Sequence, residues 1–193
     1  RTCFSDPSQG SVSAQYIKEH GLGEKIGIIY DSSDTYSDGI TKAFTAEAEE
    51  IGLEIVASES FTGDSKTDMS VQLQKLQSAG ADLVFLPIYY SEASTILKQA
   101  SDIGYTPSFY GCDGMDGILT VENFDTSLAE GLMFLTPFVT TSEDEKVQNF
   151  VKTYEEKYGQ TPNQFAADAY DSVYAIYEAC KKAGATADMT SQE

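Results

Sequence analysis

MSVQLQKLQSAGADLVFLPIYY, residues 69–90, holds a helix, a stop and a strand in that order. Met69, Leu73 and Leu76 stand at i, i+4 and i+7, and Ala79 or Gly80 completes a single apolar face, the pattern of a half-buried helix. Gly80 falls where such a helix needs a residue in the left-handed region to end it. The run that follows, DLVFLPI, is short, β-branched or aromatic, and almost without polar interruption. A strand of this kind is covered on both faces, which is the condition of a parallel sheet with helices on either side.

The same unit recurs along the chain. SVSAQYIKEHGLGEKIGIIY (residues 11–30) ends a helix near His20 and opens a strand at about Lys25. ITKAFTAEAEEIGLEIVASESF repeats the pattern around Gly52, and EASTILKQASDIGYTPSFYG repeats it around Gly104, with Ile96, Leu97, Ala100 and Ile103 along one face. Residues suited to capping precede the expected helix starts: Thr35 before YSDG, Ser65 or Thr67 before Met69, and Ser91 before EAST. The alternation defines an α/β domain with a parallel sheet. After Gly131 the rhythm breaks. EGLMFLTPFVTTSEDE supplies one more strand, Pro137 and a polar turn, and two helices then follow with no strand between them. They run from about Ser142 to Tyr158 and from about Asn163 to Ala183. Phe165, Ala169, Val173, Ile176, Tyr177 and Cys180 lie along one side of the second.

Composition excludes several functions. The 193 residues carry 31 acids against 12 bases, a net charge of −19, which opposes phosphate neutralisation and so nucleic-acid binding. No apolar run approaches the ~20 residues of a membrane span. The chain opens without Met, on RTCF, and ends on polar residues, so it reads as a mature or truncated piece. Cys3, Cys112 and Cys180 are widely spaced and His20 is the single histidine, a poor inventory for zinc or for a Ser-His-Asp or Cys-His set. No metal and no cofactor is expected.

In an open parallel sheet ligands bind beyond the carboxyl ends of the strands. Three of those ends bring distinctive residues: DSSDTYSDG, YYSEAS and GCDGMDG, the last spanning residues 111–117. Tyr36, Tyr89 or Tyr90, and Asp113 are therefore candidates at the mouth. A phosphate cradle would need a glycine-rich motif that is absent, and GCDGMDG adds negative charge. A calcium loop lacks its ligand positions. A pair of carboxylates for glycoside hydrolysis arises easily by chance on so acidic a chain. A response-regulator pocket would want a Lys near the last strand. One carboxylate flanked by tyrosines suits a cation, with charge-assisted hydrogen bonds and flat ring faces. Equally, Asp113 could cap a turn while the tyrosines cover a helix.

Five segments, in order, resemble the type I periplasmic-binding-protein family, and within it the branched-chain amino acid binding proteins of ABC importers. RTCFSDPSQGSVSAQYI is similar to an Arg-Thr strand followed by Asp-x-x-Gln-Gly opening a helix. IGIIYDSSDTYSDGITKAF is similar to a strand, an Asp and a Tyr-x-x-Gly helix start. FTGDSKTDMSVQLQKL, VFLPIYYSEASTILKQA and FYGCDGMDG resemble the next three family segments. The resemblance implies one Rossmann-like or flavodoxin-like lobe of a two-lobe protein that closes on its ligand. Residues 1–136 would be the second lobe, and residues 137–193 a hinge crossover and helices returning to a first lobe mostly outside this piece. It further implies a non-catalytic, extracytoplasmic solute-binding protein, either periplasmic or a lipoprotein at the outer face of the membrane. Such a protein hands an amino acid, of branched-chain type, to a membrane ABC permease. By position, Asp113 would receive the ligand's ammonium, where the leucine-binding branch has Glu. Tyr89 would face the ligand, Tyr36 would close over it, and Asp6 would stand near the cleft. Two alternatives accompany this reading. One is a ligand-sensing domain of a receptor or regulator, and the other a flavodoxin-like enzyme or response regulator using Asp31, Asp34 or Asp113.

Overall fold

The computed structural model describes residues 2–186, so Arg1, with which the family resemblance opens a strand, lies outside the described residues. The chain divides into two compact units. One runs from Phe4 to Thr136, and the other takes in the segment from Pro137 onward together with the first residues of the chain.

The larger unit alternates helix and strand: α1 (Asp6–His20), β1 (Lys25–Asp31), α2 (Thr35–Ile51), β2 (Glu54–Phe61), α3 (Ser70–Ala79), β3 (Leu83–Leu86), α4 (Tyr90–Asp102), β4 (Ser108–Gly111) and β5 (Met133–Phe134). All five strands pair in parallel in the order β2-β1-β3-β4-β5, the flavodoxin-like arrangement. Two apolar layers result, because successive side chains of a strand point to opposite faces. Ile26, Ile28, Leu83 and Phe85 face α1 and α2, where Ile17, Ile40 and Phe44 meet them. Ile29, Val84 and Leu86 face α3 and α4, against Leu73, Leu76, Ile96 and Leu97. Gly80 adopts φ 75° and closes α3 as the sequence requires, and Gly21, Gly52 and Gly104 are also in the left-handed region.

The capping positions differ from the sequence expectation by one to four residues. Asp34, not Thr35, caps α2 and accepts from the Tyr36 N–H at 3.3 Å. Met69 occupies the cap position of α3, and the Asp68 carboxylate takes the Ser70 N–H at 2.9 Å. Ser65 is absorbed by a local turn, where its hydroxyl accepts from the Thr62 N–H. Tyr89 rather than Ser91 precedes α4, and the Ser91 hydroxyl donates to Glu92 instead. The strand after Gly131 is only two residues long. Met133 and Phe134 pair with Tyr110 and Gly111, and the Leu135 N–H adds a bond to the Gly111 carbonyl at 3.3 Å.

The smaller unit contains α5 (Glu145–Tyr158) and α6 (Gln164–Ala183), each with a side-chain cap: Asp144 accepts from the Lys146 and Val147 N–H groups, and Asn163 from that of Ala166. Phe150 meets Phe138 edge-on and packs against Tyr170 at 4.9 Å. Much of the expected apolar side of α6 is uncovered, with Val173 and Ile176 each 65 % exposed.

Candidate functional site

The carboxyl ends of β1, β3 and β4 converge, and what they carry is set by local turns. Beyond β1 the Asp31 carboxylate accepts from the N–H and hydroxyl of Ser33, and the Asp31 N–H donates to the Ser37 hydroxyl. This folds the loop back and places Tyr36 in the first turn of α2. Beyond β4 the chain makes a short 3-10 turn, Asp113–Met115, which sinks Asp113 to 8 % exposure.

The two loops meet in one hydrogen-bonded group. The Tyr36 hydroxyl donates to Asp113 Oδ1 at 2.7 Å and accepts from the Gly114 N–H at 2.9 Å. Gly114 has no room for a side chain, since a Cβ there would stand 2.6 Å from the Ile88 carbonyl and 2.8 Å from the Tyr36 hydroxyl. Above this group, the ring of Tyr89 stacks on that of Tyr36 at 4.9 Å and 24°, and Tyr89 remains 41 % exposed. The site therefore has a buried acid, a phenol that orients it, and a second ring open to solvent.

Electrostatics give the mouth one sign. Burial pushes the Tyr36 phenol far above its ordinary value, helped by the charge of Asp113 and its hydrogen bond, so it stays protonated and remains a donor. Tyr89 is raised by burial and then by four carboxylates, those of Asp34, Asp113, Asp6 and Glu92. Burial likewise raises the Cys112 thiol, with a further contribution from Asp113, which leaves it a neutral core side chain and not a nucleophile. With Asp34, Asp113, Asp6 and Glu92 around Tyr89, the field there is negative and favours a cation over an anion.

Of the residues singled out in the sequence, Tyr36, Tyr89 and Asp113 come together. Tyr90 turns away and packs against the core beneath α3 and α4. Asp6 opens α1 and acts on the group through its field, with Cys112 and Tyr89 both feeling its charge. Sequence reasoning missed a depression of about 160 Å³ beside Tyr89, where Asp31, Asp34, Lys66 and Glu92 surround Phe61 and Ile88. Lys66 pairs with Glu92 at 2.9 Å across 26 residues. Burial works against the Glu92 charge, yet the bonds from Ser91 and Lys66 outweigh it and hold its carboxyl below the usual range. Gln9 was also missed. Its Oε1 accepts from the Asp113 N–H at 3.0 Å, a bond between residues 104 apart. Among the described residues no group of three or more His, Cys, Asp or Glu could hold a metal, and no helix is long and apolar enough to cross a membrane.

A five-stranded parallel sheet in flavodoxin-like order with helices on both faces is one lobe of the type I periplasmic-binding-protein fold. Residues 1–192 match the family described as periplasmic binding protein, and the chain belongs to it. The family is one of binding proteins rather than enzymes, which sets aside the catalytic and response-regulator alternatives. Among curated relatives, a Leu/Ile/Val-binding protein homolog of Brucella abortus is 28 % identical, with 95 % of this chain matching 48 % of that protein. Among solved structures, a branched-chain amino acid transporter substrate binding protein of Streptococcus pneumoniae in complex with isoleucine has a TM-score of 0.83 at 32 % identity. That match covers 92 % of this chain and 50 % of that one. A leucine binding protein of Thermotoga maritima has a TM-score of 0.81 at 27 % identity, covering 96 % and 52 %. The chain thus spans about half the length of the curated relatives it matches.

Proposed function

We propose that this chain is the cation-gripping half of an extracytoplasmic solute-binding protein that captures an amino acid, of branched-chain type, for an ABC importer. Asp113 takes the ligand's ammonium, Tyr89 presents its ring to the ligand, Tyr36 fixes the acid and closes the wall, and Asp6 adds to the negative field. The observation that carries the reading is the Tyr36–Asp113 hydrogen bond beneath the exposed Tyr89 ring. A carboxylate oriented by a neutral phenol in a buried setting favours a charge-assisted bond to a primary ammonium. The names and ligands of the relatives, leucine and isoleucine among them, support the substrate class.

The unit from Phe4 to Thr136 would be the second lobe. The segment from Pro137 onward would carry a hinge crossover and return helices to a first lobe, whose sheet covers the apolar side of α6 and supplies the partners of the ligand's carboxylate. A ligand bridging both lobes binds the closed form better and so shifts the population toward it, and a membrane permease would read that closed form. The protein would act outside the cytoplasm, either free in a periplasm or tethered by lipid to the outer face of the membrane.

Calorimetric titration of the complete protein with leucine, isoleucine and valine tests this. Binding of at least one is expected, and Asp113→Asn should weaken it by about 1.5–3 kcal/mol, the scale of a hydrogen bond to a charged group. An affinity unchanged by that substitution overturns the role given to Asp113.

A further inference from the structure

Gln9 and Gly10, both on α1 and outside the ligand wall, bear on where Asp113 stands. The short turn Asp113–Met115 has Cys112 at its cap position with no side-chain cap. Its first two N–H groups are instead satisfied from two different helices. Gln9 of α1 takes that of Asp113 at 3.0 Å, and Tyr36 of α2 takes that of Gly114 at 2.9 Å. Both bonds require α1 and α2 to approach closely, and Gly10 permits that approach against the Ile40–Phe44 stretch of α2. A Cβ at Gly10 would run into the Ile40 carbonyl and stand 2.7 Å from the Phe44 nitrogen, both backbone atoms of α2. Gln9 is 1 % exposed. At that depth bulk water cannot replace Gln9 as the acceptor, so losing it leaves the Asp113 N–H unmet.

We infer that Gln9 is a positioning residue of the binding site: by capping the Asp113 main chain from α1 it holds the Asp113 carboxylate under the Tyr36 hydroxyl, ready for the ligand's ammonium. It touches no ligand. The inference rests on the ammonium-binding role of Asp113, and it adds a residue whose effect must pass through Asp113.

The test is a double-mutant cycle on the complete protein, with L-isoleucine as the probe and calorimetry as the readout. Gln9→Met removes the acceptor at similar volume, and Gln9→Glu retains a carbonyl-type acceptor. Gln9→Met is expected to weaken binding about tenfold in the otherwise unchanged protein, the scale of one hydrogen bond. In an Asp113→Asn background it should weaken binding no further, and Gln9→Glu should recover most of the loss. An equal loss in both backgrounds, or no loss on Gln9→Met where Asp113→Asn does weaken binding, overturns the inference, since Gln9 would then serve only the fold or nothing at the site. Amide hydrogen exchange at Asp113 separates this outcome from failure of the ammonium reading. If Asp113→Asn alone leaves affinity intact while Gln9→Met frees the Asp113 amide, the ammonium role fails and the positioning stands. If that amide stays protected in Gln9→Met, the positioning fails whatever the ligand does.

Discussion

Replacing Tyr36 with Phe keeps the ring that stacks on Tyr89 and deletes one oxygen. That oxygen is engaged twice, as donor to Asp113 Oδ1 at 2.7 Å and as acceptor from the Gly114 N–H at 2.9 Å. Asp113 is 8 % exposed and Gly114 is buried, so solvent reaches neither end freely. A hydrogen bond to a charged group contributes about 1.5–3 kcal/mol, and a buried N–H left without a partner costs about 1–3 kcal/mol. Partial relaxation of the turn lowers the sum, and we expect Tyr36→Phe to destabilise the Phe4–Thr136 unit by about 2–4 kcal/mol. Against a total of about 5–15 kcal/mol for a domain, that is a large share. The chain has no Trp, so urea unfolding is best followed by far-UV circular dichroism. The midpoint should fall with the slope unchanged, because the surface exposed on unfolding is nearly the same. A loss below about 0.5 kcal/mol, the range of an ordinary surface substitution, would show that the hydroxyl does not tie the two loops together.

Other expectations follow from the same packing. Gly10→Ala forces a methyl group between backbone atoms of α1 and α2, and should cost about 1–3 kcal/mol in the same urea assay despite the better helix propensity of Ala. Leu76→Ala, in the fully buried layer between α3 and the sheet, should cost about 2–5 kcal/mol. Stability should also fall in alkali. Burial raises the phenols of Tyr105 and Tyr110 to about 12, and raises that of Tyr36 further. The folded state then keeps protons that the unfolded state loses near pH 10, so stability is complete below about pH 10 and declines as pH climbs through the folded values. A urea midpoint that stays flat from pH 9 to 12 would contradict this. Ile176→Ser on the open side of α6 should change the stability of this chain by less than about 0.5 kcal/mol. In the complete protein it should cost well over 1 kcal/mol, and a small effect there would argue against a covering sheet.

The βα rhythm was legible because each of its parts has a local cause. Apolar period marks the helices, glycine ends them, and unbroken apolar runs mark the strands, as Met69–Gly80 and Leu83–Leu86 show. The grouping of Tyr36, Tyr89 and Asp113 followed from topology, since residues just beyond neighbouring parallel strands share one edge. Helix starts were less legible. Thr67 and Ser91 have the right side chains, but the Thr67 carbonyl is taken by the Gln99 amide and the Ser91 hydroxyl by Glu92, and no local rule foresees either. The same holds for Gln9 and for the Lys66–Glu92 pair. Their partners lie 104 and 26 residues away, and only the folded chain brings them within a hydrogen bond. In sequence Gln9 is one polar residue near the start of a helix, and its depth depends on Gly10 letting α2 approach.

The last strand clings to the sheet by very few bonds. β5 is a two-residue ladder against Tyr110 and Gly111, extended by one bond from Leu135, and the chain passes into its other unit at Pro137. That last bond ends on Gly111, two positions before Asp113. So thin a seam makes β5 the easiest strand to peel from the sheet, and loosening it would slacken the backbone that leads into the turn holding Asp113.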